Sequence, residues 1–492
     1  MPLDERLDWA HLDDEIRIDE KHPWWPWYCP RPTVRILFYT DDASVELGYA
    51  TSFGVGRLRD LVVGHNTFHA DFQVSLVQRH AGGHAAHKLT PALLADYDQV
   101  WVFGVLQTNL PGQPENELTA AEVAALRTWM DAGGGLLVTG DHSNPHPLDP
   151  NGPYLNLGRA LGHAIPRAGA LRTWDGPPDA STVNNHNTQV GDGVHQLDDL
   201  FLQGDAVPQQ LILKRYPVGW IWPWWVQRYR PHPLFCGRQG AIGVFPDHMH
   251  EGQLLIPSSF PAAEWPSGAG GQPVPEIVSW GTDKRNGAVY GITSAYDGDL
   301  AGVGRIVADA TWHHYLNINL AGFPNPSPTL DSIADYYVNL AVWLSPPAVR
   351  ARMRCWFWWQ LATHPAVRMV AGNPLHIIGA TALDALGQRT SSCLITQFVW
   401  PWPIRLEERQ KFPWPPEELV LGGVLARYLE VFQAAVTEPR GEPVPATDLV
   451  RAGVLAAVEE HAEQFRRAAA GARELLPDVR RRFEAGPEGA GD

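Results

Sequence analysis

Three neighbouring segments decide the fold: Gln99-Val-Trp-Val-Phe-Gly104, Thr119-Ala-Ala-Glu-Val-Ala-Ala-Leu-Arg-Thr-Trp-Met130 and Gly135-Leu-Leu-Val-Thr139. The first and third are short apolar runs of strand-forming residues. The second carries apolar residues at helical spacing. Strand, helix and strand at this separation predict a βαβ unit and a parallel sheet. The third segment runs directly into Gly140-Asp-His-Ser-Asn-Pro-His146. Ligands bind past the carboxyl ends of such strands. An acid, an imidazole and a hydroxyl therefore stand where chemistry is expected.

Working outward, Val34-Arg-Ile-Leu-Phe-Tyr39 reads as a strand ending at Thr40-Asp41-Asp42. A helix is expected from Phe53 to Val63, with Gly54 and Gly56 weakening its start, and a strand over Phe72–Val77. Residues 145–280 are rich in Gly, Pro, Asn and Asp and predict long loops with short strands at 210–213 and 241–245. Strands at 287–292 and 304–308 and a helix at 330–344 complete the α/β part. Helical periodicity follows at 348–370 and 416–435, and Thr447-Asp448 signals the start of a helix reaching about Ala470. The expected organisation is an acidic, Trp- and Pro-rich arm at 1–32, an α/β domain at 33–345, and a helical domain at 346–492.

The 492 residues are 45% apolar and carry a formal charge of −16. That charge argues against a nucleic-acid binder, whose affinity comes from basic residues on phosphates, and against binding to an anionic membrane surface. No apolar run approaches the ~20 residues of a membrane span. The acidic first residues do not read as a secretory signal. Four scattered cysteines, Cys29, Cys236, Cys355 and Cys393, form no CxxC pair. They indicate neither a zinc ribbon nor a disulfide scaffold. The expected location is the cytoplasm. Of the twenty-one tryptophans, thirteen cluster around 24–27, 220–225, 356–359 and 400–414. They predict aromatic arms packed on a domain surface or at a contact between copies of the chain. Stacking on sugar rings is the alternative.

The passage Gly133-Gly-Gly-Leu-Leu-Val-Thr-Gly-Asp-His-Ser143 resembles the ThuA-like (trehalose-utilisation) branch of the class I glutamine amidotransferase-like superfamily. Arg305-Ile-Val-Ala-Asp-Ala-Thr-Trp-His-His314 resembles the last core strand and His-containing loop of those proteins. The resemblance covers roughly 33–345 and implies a flavodoxin-like, mostly parallel sheet with helices on both faces. A glutaminase of this superfamily carries a nucleophilic cysteine in a sharp turn after a strand. None of the four cysteines is so placed, which argues against cysteine amidotransferase chemistry.

Four polar segments are candidates for convergence at the carboxyl edge. Asp141 and His142 form a candidate oriented base, since a carboxylate on an imidazole fixes its tautomer. Ser143 lacks the flanking pattern of a nucleophile elbow. His248 and His250, two apart, share a side of an extended segment, and Asp247 or Glu251 adds a carboxylate. That set suits a divalent zinc, iron or manganese ion that activates water. Of His313 and His314, His314 is expected to enter the site, with Asn317 lining the same cleft. Asp41 and Asp42 are candidates for substrate hydroxyls. The reading favoured is an enzyme acting on a small polar substrate, with sugar derivatives among the candidates, by hydrolysis or acid–base chemistry. The alternative is a non-catalytic scaffold that assembles through its Trp-rich segments.

Overall fold

The structure is a computed structural model that describes residues 30–40, 45–66, 68–79, 87–103, 118–140, 167, 171–173, 209–221, 226–246, 253–268, 271–282, 288–387, 389–391, 416–437 and 446–484. Its centre is an eight-stranded sheet. In chain order the strands are β1 (Thr33–Thr40), β2 (Asp71–Gln78), β3 (Gln99–Val102), β4 (Gly135–Thr139), β5 (Ile212–Leu213), β6 (Glu276–Thr282), β7 (Val289–Tyr296) and β8 (Ile306–Asp309). Their spatial order is β2-β1-β3-β4-β8-β7-β6-β5. The pairs from β2 to β8 are parallel, and β7, β6 and β5 add antiparallel neighbours at one edge.

Helix α1 (Gly56–Gly64) joins β1 to β2, and α2 (Ala120–Asp131) joins β3 to β4. The first crossover steps outward from β1 in one direction and the second in the other. Right-handed connections therefore put α1 and α2 on opposite faces. Helix α3 (Pro328–Trp343) follows β8 and packs beside α1. Covering both faces explains why the central strands are apolar throughout rather than alternating. Val34, Ile36, Leu37, Val100, Trp101, Leu136, Leu137, Ile306 and Val307 are all fully buried.

Two of the three glycines at the start of β4, Gly133 to Gly135, have separate reasons. Gly133 has a φ of 99°, which L side chains rarely adopt. Gly135 is pressed against the end of α3, where an added Cβ would sit 1.9 Å from the Leu344 carbonyl oxygen. Backbone cannot yield as a flexible side chain does. Gly135→Ala is expected to lower stability by about 2 kcal/mol or more through overpacking. Urea unfolding of that variant measures it, and an unchanged midpoint would refute the close approach.

A buried ion pair ties the carboxyl edge together. Arg79, directly after β2, pairs with Glu122 of α2 and donates from Nη1 to the Tyr39 hydroxyl at 2.9 Å. Glu122 also closes a capping box with Thr119 and accepts from the Leu89 amide at 3.1 Å. Burial alone would raise the Glu122 pKa, but the bonds from Arg79 and Thr119 reverse this and hold it below the usual range.

In the described part of 145–280 the short strands expected at 210–213 and 241–245 are present as Gln209–Gln210, Ile212–Leu213, Gly240–Ala241 and Val244–Phe245, but longer strands occur as well. These are β6 and the hairpin Tyr216–Ile221 with Val226–Arg230. Antiparallel pairing sets these strands, and no local period marks them. Cys236 and Cys355 are each disulfide-bonded, and among the described residues no cysteine is free. The scattered cysteines, which indicated no disulfide scaffold, thus include two that are bonded. Residues far apart in sequence meet only after folding, so spacing did not reveal it. No helix among the described residues is long and apolar enough to cross a membrane.

The chain divides into two compact units. The first holds the sheet, extends to Phe357 and takes in the described residues 387 and 389–391. The second holds Trp358–Leu386 and the described residues from 416 onward. The second unit contains α5 (Leu375–Gly387, all but its last residue), α6 (Glu417–Thr437) and α7 (Ala446–Glu484). Helix α4 (Pro347–Thr363) carries the chain from the first unit into the second. Within the second unit Trp358 is buried and stacked on Tyr428, ring centroids 6.1 Å apart. That tryptophan is core, whereas Trp24, Trp25, Trp27, Trp222, Trp224, Trp225, Trp400, Trp402 and Trp414 lie outside the described residues.

Candidate functional site

Strand β8 ends in Asp309, and the chain turns at once through the short 3-10 helix His313–Tyr315. The turn brings His314 back over the strand end. Its Nδ1 lies 2.9 Å from Asp309 Oδ2 and 3.0 Å from Oδ1. The same carboxylate accepts from the Tyr315 hydroxyl at 2.9 Å and from the Thr311 amide at 3.1 Å. Asp309 and His314 are both fully buried. A buried carboxylate needs such donors, and here three residues of one tight turn supply them.

The imidazole is held on its other sides too. The Phe245 ring lies 4.3 Å from it between centroids, and Tyr337 donates to the His314 carbonyl. His314 Nε2 is 3.3 Å from Gln209 Oε1. With Nδ1–H committed to Asp309, a neutral His314 presents a lone pair at Nε2. The Gln209 amide complements that form when its NH2 faces the ring, and complements the imidazolium when its carbonyl does. The pair thus accommodates either protonation state of the ring, as a proton-transfer group requires. Tyr315 and Tyr336, with hydroxyls 3.3 Å apart, are pushed well above the usual tyrosine range by burial, reinforced by the Asp309 charge. They remain hydroxyl donors at neutral pH.

Asp309 belongs to a polar row across the sheet. It aligns with Thr139 on β4 and Thr293 on β7, and Thr293 aligns with Ser279 on β6. All four are buried. Gln209 Nε2 and Ser279 Oγ have no hydrogen-bond partner among the described residues. Buried polar groups are nearly always paired, so the Ser279 hydroxyl on this polar row marks a place for a ligand or an ordered water.

The candidate residues read from the sequence separate into three groups by position. His314 is in the cluster. Asn317 is buried nearby, but its side-chain amide donates to Gly48 O at 2.8 Å and Thr51 O at 3.2 Å and accepts from the Arg57 backbone amide at 2.9 Å. Those bonds use both amide protons of Asn317 and pin the entry to α1. Asp41, Asp42, Asp141, His142, Asp247, His248, His250 and Glu251 lie outside the described residues. Gly140, the residue before Asp141, donates its amide to the Asp309 carbonyl at 2.9 Å. Among the described residues no group of three or more His, Cys, Asp or Glu is arranged to hold a metal.

Sequence reasoning missed Asp309, Tyr315 and Gln209. Asp309 had a usable signal, as an acid ending an apolar strand five residues before His314. Gln209 had none, because it reaches the site from a distant segment. No protein-family profile matches the chain, and no curated protein does.

Proposed function

We propose that the protein is a ThuA-like enzyme on a flavodoxin-like sheet, acting on a small polar substrate by hydrolysis or acid–base chemistry. The strand order of the five parallel strands, second-first-third-fourth-fifth, is the flavodoxin-like order and supports this reading. The observation that carries it is the Asp309–His314 pair at the carboxyl end of β8. In this reading His314 moves the proton at Nε2. Asp309 fixes the tautomer and stabilises the charged ring, as a carboxylate does for a catalytic imidazole.

The role that the sequence suggested for His142 with Asp141 passes here to His314 with Asp309, the pair that stands at the end of β8. A panel of sugar derivatives, esters and amides, with turnover followed by NMR, tests the proposal. His314→Gln is expected to lower any activity found by about 10²–10⁴-fold, the usual worth of a general acid or base. A variant with full activity ends the assignment.

One observation favours the scaffold reading. His314 is fully buried with both ring nitrogens paired, so the network also fastens the core. Under that reading His314→Gln loses stability, and the panel shows no turnover by the unaltered protein.

A further inference from the structure

Strand β7 carries a second cluster of polar groups, on the other face and at the other edge from the Asp309–His314 pair. Residues paired across a sheet share a face, so Tyr296 stands with Ile306, Leu136, Val100 and Leu37. Tyr39 lies two residues beyond Leu37 on that face, where Arg79 joins it to Glu122 of α2. Ser294 and Tyr296 therefore point towards the α2 side of the sheet. Tyr296 also pairs with the first residue of β8, which puts it at the amino edge of the parallel strands.

A separate segment covers β7 here. The strand Gln253–Leu255 packs on it, and further along Trp265 meets the Tyr296 ring edge-on, centroids 5.1 Å apart. Glu264, beside Trp265, binds two arginines. Its carboxylate accepts from Arg127 of α2 at 2.5 Å and from the Arg167 backbone amide at 2.6 Å. Its carbonyl accepts from Arg167 Nε at 2.6 Å, and Arg167 Nη2 pairs with Asp131 at the end of α2. These bonds hold Arg167 in a left-handed backbone conformation, with a φ of 50°, and leave it buried.

Three polar atoms of this cluster have no hydrogen-bond partner among the described residues: Arg167 Nη1, Tyr296 Oη and Ser294 Oγ. Tyr296 and Ser294 are fully buried. Buried polar atoms are nearly always paired, and a guanidinium can only donate. Burial raises the Tyr296 pKa to about 12 against the opposing pull of the Arg167 charge, so its hydroxyl keeps its proton and donates as well. The carboxylates beside Arg167 compensate it incompletely. Asp131 is 46% exposed and screened by water, and Glu264 is shared with Arg127.

We infer that Arg167, Tyr296 and Ser294 form a binding site for one small monovalent anion, a halide or a carboxylate, between β7 and the segment that covers it. The anion accepts from the guanidinium and from both hydroxyls, and such charge-assisted bonds are the strong ones. The guanidinium excludes a cation. The carboxylates of Asp131, Glu264 and Asp297 disfavour a second negative charge. An anion held in this way ties the covering segment to the sheet, so its binding stabilises the folded chain.

Thermal unfolding of the full chain at constant ionic strength tests this. Sodium chloride or sodium formate replaces sodium gluconate, whose anion is too large for an enclosed site. For a dissociation constant of about 1 mM, the midpoint is expected to rise by about 2–4 °C between about 1 and 100 mM of the bound anion. A rise in chloride alone assigns a halide, and a rise in formate alone assigns a carboxylate. Arg167→Met should abolish the rise. That variant also loses its bonds to Glu264, so a second one, Tyr296→Phe with Ser294→Ala, removes only donors and keeps the packing. It should need about tenfold more anion or more for the same rise. A wild-type midpoint that follows neither anion overturns the proposal, the three donors then meeting ordered water only. So does a double variant that responds as the wild type does.

Discussion

Replacing Glu122 by alanine is expected to destabilise the protein by about 3–5 kcal/mol. Arg79 is fully buried, and Glu122 is the carboxylate that neutralises it. Without that carboxylate a guanidinium stays in a low-dielectric site beside the Tyr39 hydroxyl, which offers a hydrogen bond but no charge. The capping box at the start of α2 is lost as well, at about 1 kcal/mol. Urea unfolding of Glu122→Ala, Arg79→Met and the double variant gives the coupling. The double variant should recover much of the loss, because removing both buried charges costs far less than removing one. If Glu122→Ala unfolds at the wild-type midpoint, the pair contributes nothing to the fold.

Acidification from pH 6.5 to 5 is expected to remove about 3 kcal/mol of stability, from two histidines each approaching a loss of about 1.4 kcal/mol per pH unit. Burial lowers the His69 pKa from 6.5 to about 3, and the Arg31 charge adds to the shift. Burial likewise lowers that of His232 to about 3, with help from Arg305 and Lys214. The unfolded chain takes up these protons as pH falls through 6.5, and the folded chain does not until about pH 3. The stability they contribute is therefore present above the unfolded value and is lost as pH falls through that window. Both rings are placed to stay neutral. His69 Nε2 bonds the Thr390 hydroxyl at 2.7 Å, and His232 Nδ1 accepts from the Leu234 amide at 3.3 Å.

Carboxylates add to the loss at lower pH. Burial opposes ionisation of Asp335, but the bonds from His65 and Arg238 outweigh it and hold its pKa below 3.8. Glu122 is held below 4.5. Their contribution is present above those values and is lost as pH falls through the folded ones. Guanidinium unfolding at a series of pH values should show a plateau above about pH 7 and a fall below it. His69→Gln with His232→Gln should flatten the fall. Equal stability at pH 7 and pH 5 would contradict the burial of both rings.

The parallel part of the sheet was legible in the chain before any folding was considered. The apolar runs at 34–39, 72–77, 99–104 and 135–139, with helical spacing at 119–130, are local patterns, and local patterns set secondary structure directly. His314 was legible for the same reason, because an imidazole just past an apolar strand must lie near that strand's end. The antiparallel edge was not, since β6 and the 216–230 hairpin are defined by their partners and not by any period of their own. The Gln209 contact to His314, the Arg79–Glu122 pair and the disulfide bonds of Cys236 and Cys355 likewise join residues far apart in the chain. In each case the stabilising free energy exists only after distant segments have met, so no window of sequence contains it.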